Sequence, residues 1–125
     1  MAIRSYRDLR VWQIGVDLDI ECYHRTAGFP RAEQYGLTSQ IRRAGVSISA
    51  NIAEGHGRAH RADYAYRASV ARGSVMEVET EFTIAERLGY VSAPELCDLR
   101  EYAMPRAACS WSYSAHSGGA ADHPR

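Results

Sequence analysis

Seven apolar positions, Tyr64, Ala68, Ala71, Val75, Val78, Phe82 and Ala85, follow one another at steps of 4, 3, 4, 3, 4 and 3. Such a repeat places every side chain on one stripe of an α-helix and on no face of a β-strand, whose side chains alternate with period two. A seam of this kind suits shallow-angle packing against other helices, as in a bundle. The pattern predicts a helix from about Arg61 to Leu88, roughly 42 Å long at 1.5 Å per residue. Arg87 in its last turn and Gly89 just beyond are favourable terminators. A rod with one oily side cannot stand alone, so the rest of the chain must supply its cover.

Three other segments offer that cover. Leu37, Ile41, Ala44, Ile48 and Ile52 form a second clear stripe and predict a helix from Leu37 to Glu54, with Gly55 as its stop. Residues 7–26 carry a broader apolar face, with Leu9, Trp12, Val16 and Tyr23 near one stripe and Val11, Ile14 and Leu18 widening it. Ser5 and Asp8 read as a capping box ahead of it, and Gly28-Phe29-Pro30 ends it. A fourth segment opens on Ser92-Ala93-Pro94-Glu95, a capping box with proline in the first turn, and continues through Leu96, Leu99 and Ala103. Beyond Pro105 the period fails and a Ser/Gly/Ala-rich stretch follows, which reads as disordered. No strand pattern and no useful internal repeat occur. The fold expected is all-α: an antiparallel up-and-down four-helix bundle over residues 1–104 with a shortened or divergent fourth helix, then a divergent tail over 105–125.

Composition narrows the function classes. No apolar run reaches the roughly 18–20 residues of a membrane span, and the first residues lack the layout of a secretory signal, so a cytoplasmic protein is expected. Cys22, Cys97 and Cys109 are odd in number and form no Cys-x-x-Cys pair, so they read as small hydrophobes rather than a disulfide framework. Net charge is zero, yet its distribution is uneven. Residues 1–72 hold 11 Arg against 7 acids, and residues 73–104 hold 2 Arg against 7 acids. All 15 basic residues are Arg, so each cation is able to contact phosphate or carboxylate in a bidentate manner.

Candidate functional residues follow from that asymmetry. Arg42 and Arg43 are adjacent on the second helix, and Arg58 and Arg61 follow near the next loop. They are the candidate phosphate contacts of a basic band; the competing reading is a solvated face, or salt bridges between subunits to Glu77, Glu79, Glu81 and Glu86. Asn51 and Glu54 lie one turn apart before Gly55 and suggest a small polar cluster, with Arg58 as a possible member; the structural reading of this motif outweighs a partner contact. Gly15, Gly45 and Gly73 read as points of close approach by another helix or another subunit. His56 and His60 have a metal-ligand spacing, but Gly55 and Gly57 interrupt the helix there and no cysteine completes a site, so no metal is expected. Gly55-His56-Gly57 follows a helix and lacks the remaining residues of a phosphate loop. No catalytic constellation and no cofactor motif can be placed, so the chain reads as non-catalytic.

Several stretches, in order, resemble one known family. They are Tyr6-Arg7-Asp8-Leu9-Arg10-Val11-Trp12-Gln13; Phe29-Pro30; Glu33-Gln34-Tyr35-Gly36-Leu37-Thr38-Ser39-Gln40-Ile41-Arg42-Arg43-Ala44; Val46-Ser47-Ile48 into Asn51-Ile52-Ala53-Glu54-Gly55 and Gly57-Arg58; Ala71-Arg72-Gly73-Ser74 with Glu77; and Leu88-Gly89-Tyr90. Together they resemble the bacterial four-helix-bundle proteins encoded in 23S rRNA intervening sequences. The resemblance implies an up-and-down bundle and a ring-shaped homopentamer. That family is similar to accessory proteins of diversity-generating retroelements, whose basic-surfaced pentamers engage nucleic acid and a reverse transcriptase. RNA or DNA and a reverse-transcriptase-like protein are therefore the partners the resemblance implies, with no family-wide enzymatic activity. The sequence departs from the pattern at Ser49, where members usually carry proline, and after Met104, where the chain looks unrelated, as a frameshift would leave it. Each buried Leu-sized side chain missing from the fourth helix forfeits about 1.5–3 kcal/mol of burial.

Overall fold

The computed structural model describes residues 3–57 and 60–103. Arg58 and the tail 105–125 lie outside the described residues. A short 3-10 turn, Tyr6–Asp8, precedes α1 (Arg10–Thr26); a second, Arg31–Glu33, leads into α2 (Leu37–His56); α3 (Arg61–Arg87) and α4 (Ala93–Ala103) complete the order. No strand occurs among the described residues.

Each helix packs on its neighbours in sequence, and α4 closes the ring by contacting α1 as well as α3. Paired residues show that neighbours run antiparallel. Thr26 meets Arg42 and Gly15 meets Ile48 between α1 and α2. Ser47 meets Ser74 and Asn51 meets Arg67 between α2 and α3, and Thr83 meets Arg100 between α3 and α4. The molecule is an up-and-down four-helix bundle, as short connections between amphipathic helices require.

The α2 stripe lies where its spacing puts it. Ile41, Ala44 and Ile48 are buried, and Leu37 and Ile52 pack on the core from its edge. Ala71, Val78, Phe82 and Ala85 of the α3 seam are buried too. Leu96 and Leu99 of α4 reach the same core, and Phe29 joins it with its ring 6.2 Å from Phe82 and 5.4 Å from Tyr90. Gly89 ends α3 with φ at +82°, the left-handed conformation that glycine adopts without strain.

Three expectations are corrected. The Ser5–Asp8 capping box forms, but it caps the 3-10 turn, and extended Leu9 separates that turn from α1. The buried seam of α1 is Gly15, Leu18, Cys22 and Thr26, not the stripe through Trp12 and Tyr23. Small residues win here because α1 and α2 approach closely: a Cβ on Gly45 would lie 3.1 Å from Cys22 Sγ. Gly55 does not stop α2; it is buried inside the helix, which runs on to His56. A fourth difference concerns thiols: Cys22 is free and fully buried, whereas Cys97 is disulfide-bonded. An odd set of widely spaced cysteines carries no pairing signal that periodicity can reveal.

The described part of α4 ends at Ala103, well short of the length of α3. Tyr64 and Ala68, in the first part of the α3 seam, are exposed. An apolar groove of about 550 Å³ opens there, walled by Val11, Ile14, Ile52, Tyr64, Ala68 and Tyr102.

Candidate nucleic-acid interface and the α2–α3 clasp

Arg42 is held in place by α1. Thr26, in the last turn of α1, donates its hydroxyl to the Cys22 carbonyl at 2.6 Å. Its oxygen then accepts from Arg42 Nε at 2.9 Å. That contact lays the guanidinium 4.7 Å from the centroid of the Tyr23 ring, within cation–π range. The arrangement leaves the terminal nitrogens of Arg42 with no hydrogen bond to a described residue. Arg43, the next residue, is exposed and makes no hydrogen bond or ion pair with any described residue.

Around the two arginines lies a concavity of about 540 Å³ bounded by Tyr23, Tyr35, Thr38, Arg42, Arg43 and Val46. Tyr35 is 91% exposed. Its backbone is braced on both sides: Glu33 accepts the Leu37 N–H on its carboxylate at 3.0 Å, and its carbonyl accepts the Gly36 N–H at 3.0 Å. Sequence reasoning found the arginines but missed both tyrosines. Tyr23 and Tyr35 belong to different elements, and only the antiparallel turn between α1 and α2 sets them side by side.

Arg61 is the first residue of α3 and is exposed, but it stands at the other end of α2. Eighteen positions separate it from Arg43, and α2 alone carries the chain roughly 20 Å between them. Arg42 and Arg43 therefore form one basic site, and Arg61 belongs to a different end of the bundle.

Asn51, Glu54 and Gly55 do come together, and their partner is Arg67 of α3. Arg67 donates through Nη1 to Asn51 Oδ1 at 3.2 Å and pairs through Nη2 with Glu54 at 3.1 Å. A Cβ on Gly55 would lie 2.9 Å from Arg67 Cβ, so glycine is what lets α3 approach. Asn51 also donates to Ser47 Oγ at 2.9 Å; the Ser47 and Ser74 hydroxyls share a bond of 2.9 Å, and Ser74 donates to the Val70 carbonyl at 3.2 Å. This polar seam locks the register of α2 against α3, the structural role that its motif suggests.

Two acids are withdrawn from solvent, Asp19 half-buried and Glu81 buried. Asp19 accepts from the Ser49 hydroxyl, while its second oxygen has no hydrogen-bond partner among the described residues. Burial pushes its carboxyl up to about 6. Glu81 is buried, with one oxygen that has no hydrogen-bond partner among the described residues, and burial together with Glu77 pushes it up to about 7. Burial and the nearby acids push the Cys22 thiol up to about 12, which keeps it protonated and a poor nucleophile. His56 closes α2 and His60 precedes α3, so they do not share a helix face. Among the described residues no group of three or more His, Cys, Asp or Glu is placed to hold a metal ion, and no helix is long and apolar enough to cross a membrane.

An antiparallel bundle whose polar motif clasps two helices, and which carries Arg42 and Arg43 side by side at one end, belongs to the class of all-helical bundle proteins. The profile of the family described as 23S rRNA-intervening sequence protein matches residues 7–104, and the chain belongs to that family. No curated protein matches the chain.

Proposed function

We propose that this protein is a non-catalytic, cytoplasmic scaffold that binds RNA or DNA through its Arg-rich surface as a homo-oligomer, a pentamer by family resemblance. The observation that carries the reading is the pair Arg42 and Arg43. One guanidinium lies over Tyr23 with no hydrogen bond from its terminal nitrogens to a described residue, and the other is exposed and unpaired among the described residues. Guanidinium nitrogens that the fold leaves unbonded suit phosphate contacts, and a ring of subunits would multiply a small patch. Affinity built this way falls steeply with salt because each neutralised phosphate releases counterions.

The test is a titration of labelled RNA and DNA at low and at moderate salt, alongside light scattering of the protein. The reading expects binding at low salt that weakens with added salt, an oligomer in solution, and loss of binding on charge reversal at Arg42 and Arg43. Absence of binding at low salt, or binding indifferent to the charge reversal, would overturn it.

A second reading is a protein–protein interaction module that ignores nucleic acid. The apolar groove at Tyr64 and Ala68 favours it, because an open trough between helices fits the oily face of an added helix. A reverse-transcriptase-like protein is the partner class implied by the resemblance. A stable oligomer that binds such a protein but no nucleic acid would select this reading.

A further inference from the structure

We infer that the Tyr23–Tyr35–Arg42–Arg43 concavity selects single-stranded over double-stranded nucleic acid, with Tyr35 as the platform for one unpaired base. The inference rests on the nucleic-acid reading above and specifies its ligand. Four observations carry it. Tyr35 is 91% exposed, well beyond the next most exposed tyrosine among the described residues, Tyr66 at 64%. The ring makes no contact with another ring or with a cation among the described residues, so both faces are open. Its backbone is braced by Glu33 on one side and by the start of α2 on the other, so the platform is presented rather than trailing. Arg42 and Arg43 flank it across the same concavity, where a phosphate next to a stacked base would fall.

The chemistry distinguishes strands from duplexes. In a duplex the bases already stack on one another, and a protein outside the grooves meets only phosphate and sugar. An open tyrosine ring then gains little. In a single strand each base has a free face, and stacking on an aromatic side chain adds to the phosphate contacts without needing a particular sequence. The second ring, Tyr23, already has Arg42 at its face, so it holds the cation and leaves the base to Tyr35.

The experiment uses the full chain and measures anisotropy of labelled single-stranded RNA and single-stranded DNA of about 16 nucleotides, and of the matching duplexes, at equal ionic strength. Single strands are expected to bind tighter than duplexes. Tyr35→Ala is expected to weaken single-strand binding at least about fivefold, the lower end of one lost base stack, and to leave duplex binding unchanged. Tyr35→Phe keeps the ring and is expected to keep the affinity. Because Tyr35 is almost fully exposed, these changes leave the fold intact, which circular dichroism verifies. Equal effects of Tyr35→Ala on strand and duplex, or none on either, would overturn the inference while leaving nucleic-acid binding in place. If no oligonucleotide binds at low salt, the functional reading and this inference fall together.

Discussion

A Cβ built on Gly55 comes within 2.9 Å of the Cβ of Arg67, closer than two such carbons pack. The α2–α3 interface is therefore set by a missing methyl group on one helix and by the stem of an arginine on the other. Gly55→Ala gains about 1 kcal/mol of helix propensity but overpacks the interface at an atom next to the backbone, at a cost of about 1–3 kcal/mol. A net loss of roughly 1 kcal/mol is expected in chemical denaturation. Gly73 is the control: it lies in α3 with nothing within 4 Å of its would-be Cβ, so Gly73→Ala is expected to stabilise by up to about 1 kcal/mol.

Arg67 bridges two α2 side chains, Asn51 and Glu54, with two different nitrogens. Lysine cannot reproduce that fork. Arg67→Lys and Arg67→Ala are expected to cost a similar amount, about 1 kcal/mol, since the pair with Glu54 is partly exposed and salt screens it. A double-mutant cycle with Asn51→Ala is expected to show coupling. Strict additivity would mean that the clasp is not formed in solution.

Glu81 and Asp19 make stability depend on pH in a direction opposite to the usual salt-bridged carboxylate. Their folded pKa values, about 7 and about 6, lie above the ordinary 4.5 and 3.8. The folded protein thus holds protons that the unfolded chain releases. The stability this confers is complete below about pH 4 and is lost as pH rises through 6 to 7. From this source Tm is expected to be lower at about pH 8 than at about pH 5. Glu81→Gln keeps a donor for Glu77 and removes the charge, so it is expected to raise Tm at the higher pH and flatten the profile. A Glu81→Gln protein whose pH profile matches the parent would contradict the assignment.

Arg43 offers a quantitative check on the proposed interface. Removing one phosphate contact is expected to reduce the slope of log affinity against log salt by about one for each subunit engaged. Arg43→Ala is exposed and unpaired among the described residues, so Tm is expected to stay unchanged. Arg42→Ala is expected to lower Tm slightly as well, because it also removes the bond to Thr26 and the contact with Tyr23.

Helix identity was legible wherever large aliphatic side chains carried the period. Ile41, Ala44 and Ile48 face the core as their spacing demands, and Gly89 terminates α3 as its position suggests. The face of α1 was misread because Trp12 and Tyr23 outweigh Gly15, Cys22 and Thr26 in any hydrophobic tally. Closeness of approach between helices is a tertiary property, and it favours the small residues. Gly55 looked like a stop because a glycine at a helix end and a glycine at a helix crossing look alike in one dimension. Gly73 has open space around it within the chain, so no helix of the same chain crosses there. The basic pair Arg42–Arg43 was visible from sequence, yet its aromatic companions were not, since Tyr23 comes from the preceding helix. Arg67 as the partner of Asn51 and Glu54 was equally hidden, lying sixteen residues from Asn51 across the bundle.

The central claim is that nucleic acid lies against the end of the bundle where α1 turns into α2. Ultraviolet crosslinking of the full-length protein to a single-stranded RNA, followed by mass spectrometry of the attached peptides, addresses it directly. Crosslinks are predicted at Tyr23 and Tyr35, in peptides flanking Arg42 and Arg43. Crosslinks confined to α3 and α4, or none at low salt, would contradict the account.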